Sequence, residues 1–482
     1  MVLRGFVGPT YSIRSTTLAM ERCINLFPES LEVPWERAQI YYLPTPGLVT
    51  KLTLPDVPTR GLFYQDGRAF AVSGTSFYEI YQDYTYHKYG TVALDSAPAS
   101  MVSNGYGGHQ LLVLSGGSGY IFDLIANTFT PIDTVTYPAF PTTAILCGFI
   151  DGYFVVLDSV ANTMHLSGLF DGLSWSGLDV AQRSTASDNL VSMAILDREV
   201  RLFGTKTGET WYDVGAADFP FAPIPGSYIS QGSVAPWTPR AFDNSIAWVS
   251  SNADGSGMVM KAQGYAPQRI SSHALELAMN GYPTFLDAES WVWQYNGHLF
   301  YVLYFPSGNA TWVFDASTSM WHEWAWTNAG LNTLEASRAR CHMYAWGVHL
   351  VGDRMTGDVH LLSASTYSDN GVAVQRIRRS PHVNSELDWV FHTQFELDGD
   401  TGIGLPSGQG VSPQVALSWS DDGGQVWSNE YWQSMGAQGV YNNRVQWSRL
   451  GRARNRIYQV RMTDPVPWRL NNAYLNVEKG TS

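Results

Sequence analysis

The chain has 482 residues, 13% of them aromatic (18 Trp, 26 Tyr and 21 Phe) and 15% charged, with a formal net charge of −13. That length fits a large repeat fold or two to three domains, not one ordinary core. The composition excludes disorder and a heptad coiled coil, and the acidic balance speaks against a dedicated nucleic-acid reader.

With 45 Gly and 24 Pro beside so many aromatics, the chain reads as all-β with many turns. The first ten residues lack a basic stretch followed by an apolar one, so no signal peptide is expected. No run of 18 apolar residues occurs, so no transmembrane helix is expected. Cys23, Cys147 and Cys341 are too far apart for a disulfide framework or a zinc knuckle, and read as thiols of a protein made in a reducing cytoplasm.

Residues 1–60 read as an extended segment that docks on, or completes, the body that follows. From 61 to 371 hairpins recur. Phe63–Gly74 turns at Asp66-Gly67, Phe149–Leu157 at Asp151-Gly152, and Trp293–Leu303 at Asn296-Gly297. Hairpins begin near 61, 106, 147, 194, 242, 293 and 343, about 47 residues apart, the span of a four-stranded propeller blade. Two apolar or aromatic residues before Asp recur at Asp123, Asp213 and Asp315, where an Asp-led turn would close the outer strands. A β-propeller of six or seven blades accounts for this better than a large sandwich does. Only single helical turns are expected, at 272–280 and 335–340.

Residues 372–482 read as an appended β-sandwich-like region. Gly399–Pro413 is a long Gly/Ser/Pro loop, and the strands beside it, Trp389–Leu397 and Gln414–Trp419, are expected to pair. Charge divides the chain at the same place. Residues 1–371 hold 18 basic and 32 acidic residues, net −14, and the remainder 11 and 10, net +1. Of the 29 basic residues, 24 are Arg, and seven of these lie between Arg444 and Arg469.

Two features of this region carry chemistry. Ser420, Asp422, Gly424 and Trp427 match Ser-x-Asp-x-Gly-x-x-Trp, the Asp-box of sialidase-like propellers, a turn tied by side-chain-to-backbone bonds. A single copy is a structural turn, since glycosidase work needs paired carboxylates or a Tyr nucleophile at one pocket. Arg444, Arg449, Arg452, Arg454 and Arg456 form a candidate assembly interface, and alternation along a strand would put the last three on one face. No phosphate loop, His-Glu-x-x-His or Gly-x-Ser-x-Gly motif occurs, so no catalytic residue and no cofactor is expected. His342, His349 and His360 are close in sequence, but alternation places the first two on opposite faces, and no metal site is expected.

The stretch Gly8–Glu29, with Arg22-Cys23-Ile24-Asn25-Leu26-Phe27-Pro28-Glu29, is similar to the opening of packaged-DNA stabilisation proteins of short-tailed phages (podoviruses). Thr45-Pro46-Gly47-Leu48, Arg60–Tyr64, Leu169–Trp175, Ser418–Trp427 and Val445–Gly451 resemble further elements of that family. Phe27 stands where Tyr is commoner. The resemblance implies a tail hub, or nozzle. It would be a homo-hexameric ring below the portal and the adaptor (the head-to-tail connector), closing the DNA exit channel and retaining the packaged genome. It would support the plug or needle and the tail fibres or spikes. Such a protein belongs to the virion tail, is assembled in the host bacterial cytoplasm, passes double-stranded DNA without reading its sequence, and is not an enzyme. The competing readings are a glycan-binding or sialidase-like propeller of a receptor-binding tail protein, which calls for several Asp-boxes, and a cellular interaction propeller, which calls for regular blade signatures.

Overall fold

Local turn chemistry sets the repeating unit. In the computed structural model, which describes residues 2–33, 39–183, 186–386 and 388–480, Asp66-Gly67, Asp151-Gly152 and Asn296-Gly297 all turn with positive φ at both positions. That geometry matches the twist of the strands it joins. Each hairpin adds a third and a fourth strand. In blades two, four and six the third ends on an Asp whose carboxylate caps the next turn: Asp123 Oδ1 accepts from the Ile125 and Ala126 amides at 2.8 and 2.7 Å, Asp213 Oδ1 from the Gly215 amide at 2.8 Å, and Asp315 Oδ1 from the Ser317 amide at 2.9 Å.

Seven such four-stranded units form. Their innermost strands are Thr59–Gln65, Ser100–Ser103, Ala144–Ile150, Leu190–Leu196, Arg240–Phe242, Glu289–Tyr295 and Ala339–Ala345. Each touches the next, and the seventh touches the first, so the units close into a seven-bladed propeller. Its core is divided into seven clusters, one between each pair of neighbouring blades, such as Phe70, Phe77, Leu111 and Phe122 between blades one and two. Every sheet is thereby covered on both faces, which is how a propeller hides its apolar strands.

The ring closes through the N-terminus. Blade seven has three strands from its own sequence and takes Gly47–Thr53 as its fourth, with Leu361 opposite Val49 and Leu362 opposite Leu48. Gly47 is required there, because a Cβ would collide with the carbonyl oxygens of Thr366 and Ser368. A nine-residue helix, His273–Gly281, capped by Ser272 and packed through Leu275 and Met279, replaces the single turn expected there.

The second unit is a β-sandwich around Trp468, Trp447, Tyr458, Phe395 and Tyr42. One sheet orders Leu26–Ser30, Ile40–Pro44, Leu470–Lys479, Val390–Gly399 and Val445–Ser448. The other orders Met20–Ile24, Arg376–Arg379, Asn455–Met462, Gln414–Ser420 and Tyr431–Ser434. Two expectations change here. The first 60 residues are shared: 47–53 complete the propeller, whereas strands between Met20 and Pro44 belong to the sandwich. The strands flanking the long loop do not pair; the loop carries the chain from one sheet to the other.

Propeller and sandwich are hydrogen-bonded into one body. The outer strand of blade six pairs with Met20–Ile24 of the sandwich, Ile24 opposite Glu323. Arg22 forms an ion pair with Glu323 across this seam. Asn25, at φ +54°, donates to the carbonyls of Ala325 and Gln375 at 2.8 Å each and accepts from the Ala325 amide.

Candidate functional site

The Asp-box forms the expected turn. Gly424 donates its amide to Ser420 Oγ at 2.8 Å, Gln425 and Val426 donate theirs to Asp422 Oδ1 at 2.9 and 3.0 Å, and the Trp427 indole donates to the Gly424 carbonyl at 3.1 Å. The turn packs on Met20 of the N-terminal strand, and the Arg379 guanidinium lies 4.8 Å above the Trp427 ring. The two neighbouring carboxylates are therefore committed to structure. Asp422 caps the turn, and Asp421 takes both oxygens to Arg456 at 2.6 and 2.7 Å.

The five arginines do not share one surface. Arg456 is buried, donating also to the Leu450 carbonyl at 2.6 Å. The alternation argument fails because the chain changes sheets between Arg452-Ala453, paired with Val390 and Phe391, and Asn455, the start of the strand in the opposite sheet. Arg444 lies apart, exposed, in a two-pronged pair with Glu396. Arg449, Arg452 and Arg454 are exposed and have no carboxylate partner among the described residues. Arg452 and Arg454 both stack on Trp389, at 4.5 and 5.0 Å from its centroid. Arg452 and Arg454 thus make a cationic and aromatic patch with Trp389, Phe391 exposed beside Arg452, while Arg449 lines a neighbouring concavity with Tyr431, Trp432 and Trp447.

His342 and His349 do not lie on opposite faces as expected, because alternation holds along one strand and they lie on two. His342 and His349 face each other, Nε2 to Nδ1 3.0 Å, because they lie on neighbouring strands one diagonal apart. Asp353, Asp358 and His360 come within metal-binding reach of one another at the clasp of blade seven. Their donor atoms are already used: Asp353 Oδ2 accepts from Arg338 Nε at 2.7 Å and pairs with His360 Nε2 at 3.0 Å, and Asp358 accepts from Thr53 and Thr356. Arg338 supplies the positive charge that a cation would bring.

A feature that motif reading missed lies on the propeller axis. A cavity of about 540 Å³ is lined by the innermost strands. Four consecutive blades, five, six, seven and one, place a charged residue at the head of that strand: Arg240, Glu289, Arg340 and Arg60. Arg340 and Glu289 form a buried two-pronged pair at 2.5 and 2.7 Å, and Arg340 also donates to the Ser96 carbonyl. Burial pulls the Arg340 pKa down, and the Glu289 bonds and charge more than offset it. Arg60, with no exposure at all, is held by the Gly74, Ala93 and Ala97 carbonyls and by Ser115 Oγ. Arg240 donates from Nε to the Ser290 carbonyl and from Nη1 to the Pro239 carbonyl, and its Nη2 has no hydrogen-bond partner among the described residues. Burial leaves the pKa of both Arg60 and Arg240 lowered; Asp95 offsets this only in part for Arg60, whose neighbour Arg340 adds to it, and Tyr301 and Glu289 offset it only in part for Arg240. The sequence signal was a charged residue opening the first strand of four successive repeats, a pattern no short motif contains.

A protein-family model described as Bacteriophage P22 Gp10, beta-propeller, matches residues 8–367. A second, described as Bacteriophage P22 Gp10, beta-sandwich, matches residues 375–478. No curated protein matches the chain in sequence. Among solved structures, it is similar to the N-terminal domain of Nup159 at 12% identity, covering 71% of this chain and 99% of that one, TM-score 0.40. It is similar to virginiamycin B lyase of Staphylococcus aureus at 8% identity, 65% and 97% coverage, TM-score 0.40. The extracellular domain of BT4673 from B. thetaiotaomicron matches at 10% identity, 92% and 62% coverage, TM-score 0.41.

Proposed function

The chain belongs to the bacteriophage P22 Gp10 family, as a phage tail structural protein of the virion, and on that premise we propose that it is the tail hub, or nozzle, of a short-tailed phage. Six copies form a ring below the portal and adaptor. The ring closes the DNA exit channel, retains the packaged genome, and supports the plug or needle and the fibres or spikes. It catalyses no reaction, and it is assembled in the host cytoplasm. The observation that carries this reading is the pair of family matches, which together account for both the propeller and the sandwich. The seam between the two units supports it. A continuous sheet, an ion pair and the Asn25 bonds make one stiff body, which suits a pipe under load. The net charge of −13 supports it as well, since an acidic wall avoids sticky contacts with passing phosphates.

A closed ring of identical subunits needs a repeated heterologous contact, with two different surfaces meeting. The surface that carries Arg449, Arg452 and Arg454 is the candidate for one of them, meeting a neighbouring subunit or the adaptor. Replacing all three with Ser keeps the monomer folded, because none is buried or ion-paired, and weakens assembly on the portal–adaptor complex. Arg456 is left intact in this test because it is part of the core. Normal ring assembly by the triple variant, followed by negative-stain imaging, removes the patch from the interface.

A further inference from the structure

We propose that the axial cavity of the propeller is a receptor site for a small oxyanion, a carboxylate or a phosphate. The inference does not depend on the hub reading. It rests on the charge inside the cavity. Its lining residues include three arginines and one carboxylate, in a chain whose formal charge is −13. Glu289 gives both oxygens to Arg340, and Arg60 and Arg240 have no ion-pair partner among the described residues. Asp95 and Asp287 act on this group from outside the lining.

Arg60 and Arg240 differ in what they can still bind. Arg60 spends its donors on four protein oxygens and contributes field only. Arg240 is held by two carbonyls, Ser290 and Pro239, which fix its plane and leave Nη2 without a partner among the described residues. A guanidinium fixed in this way has already lost its rotamer freedom, so an incoming oxygen gains a charge-assisted bond at little further entropy cost. Two arginines outside any ion pair among the described residues, one of them with an unused guanidinium nitrogen, in one concave site favour an acceptor that carries negative charge. The volume, about 540 Å³, admits phosphate or a small dicarboxylate and excludes a nucleic-acid duplex.

Calorimetric titration of the full chain at constant ionic strength, with inorganic phosphate and separately with succinate, tests this and tells the two oxyanion classes apart. Saturable binding of one site per chain by at least one anion is expected. In Arg240→Gln it should weaken ten-fold or more, and in Arg198→Gln, an exposed arginine paired with Asp151 on a hairpin turn, it should be unchanged. Crystals soaked in selenate provide a readout that survives a poorly folding variant: anomalous density within hydrogen-bond reach of Arg240 is expected. No saturable binding of either anion, binding unchanged in Arg240→Gln, or selenate only at sites away from the axis overturns the proposal.

Discussion

His322, His342 and His392 sit where burial holds the imidazole neutral, with pKa values pushed down to about 3, 3 and 4. In an unfolded chain each titrates near ~6.5. Between the folded and unfolded values the unfolded chain binds more protons, so the stability these rings permit is complete above about pH 7 and is lost as pH falls below ~6.5. Asp353 behaves differently: burial raises its pKa, but the bonds from His360 and Arg338 prevail and bring it to about 2. Its contribution is lost only below the unfolded carboxylate value near ~4. In the window from pH 6.5 to 4.5 these three rings act against Asp369, whose carboxyl burial pushes up to about 7 and which therefore favours the folded state as pH falls; with three groups against one, the melting temperature should fall across it. His322 lies among Phe27 and Phe300 with neither ring nitrogen partnered, so His322→Leu should flatten that slope and stay within about 1 kcal/mol of wild type at pH 7.5. A melting temperature flat from pH 7 to 4.5 contradicts this account of the buried histidines.

At the level of elements, the clasp formed by Gly47–Thr53 is where the ring is made or lost. Leu52 packs between blades seven and one with Tyr78, Ile80 and Leu350. Leu52→Ala should cost about 2–4 kcal/mol and make the 54–58 connection a site of early proteolysis, whereas Leu94→Ala, at an exposed position, should stay within ~0.5 kcal/mol. Equal stability of the two variants would mean that the clasp does not hold the ring. The seven hairpins were legible because Asp-Gly and Asn-Gly turns and period-2 strands are local signals. The clasp was not, because the strand it pairs with, Asp358–Ser363, lies more than 300 residues away and nothing local marks the partner. The same holds for Met20–Ile24 and Ile40–Pro44, which look like part of the propeller's approach and belong to the sandwich. In the candidate site, the Asp-box was legible because its bonds close within five residues. Arg456 was misplaced because alternation holds only while a strand stays in one sheet, and the chain changes sheets beside it. The axial charges stand first or second in their strands, Arg240, Glu289 and Arg340 about 50 residues apart and Arg60 about 180 residues before them, and only the closed ring brings them together.

For the whole molecule, the central claim is that two units fused by one continuous sheet act as a single wall segment of a tail hub. Stiffness comes from the seam at Ile24 and Glu323 and from the clasp, so that propeller and sandwich carry load together. In the proposed assembly, specificity comes from exposed charge: Arg449, Arg452 and Arg454, on a near-neutral C-terminal region, would meet a surface supplied by the strongly acidic remainder of a neighbouring copy or by the adaptor. A cryo-electron microscopy reconstruction of the tailed particle is the most direct test. Six copies around a through-channel below the adaptor, with DNA or a plug inside and the arginine patch at a subunit boundary, is the result expected. Monomers or trimers of this chain at the tips of appendages would contradict the account and return the propeller to the receptor-binding reading.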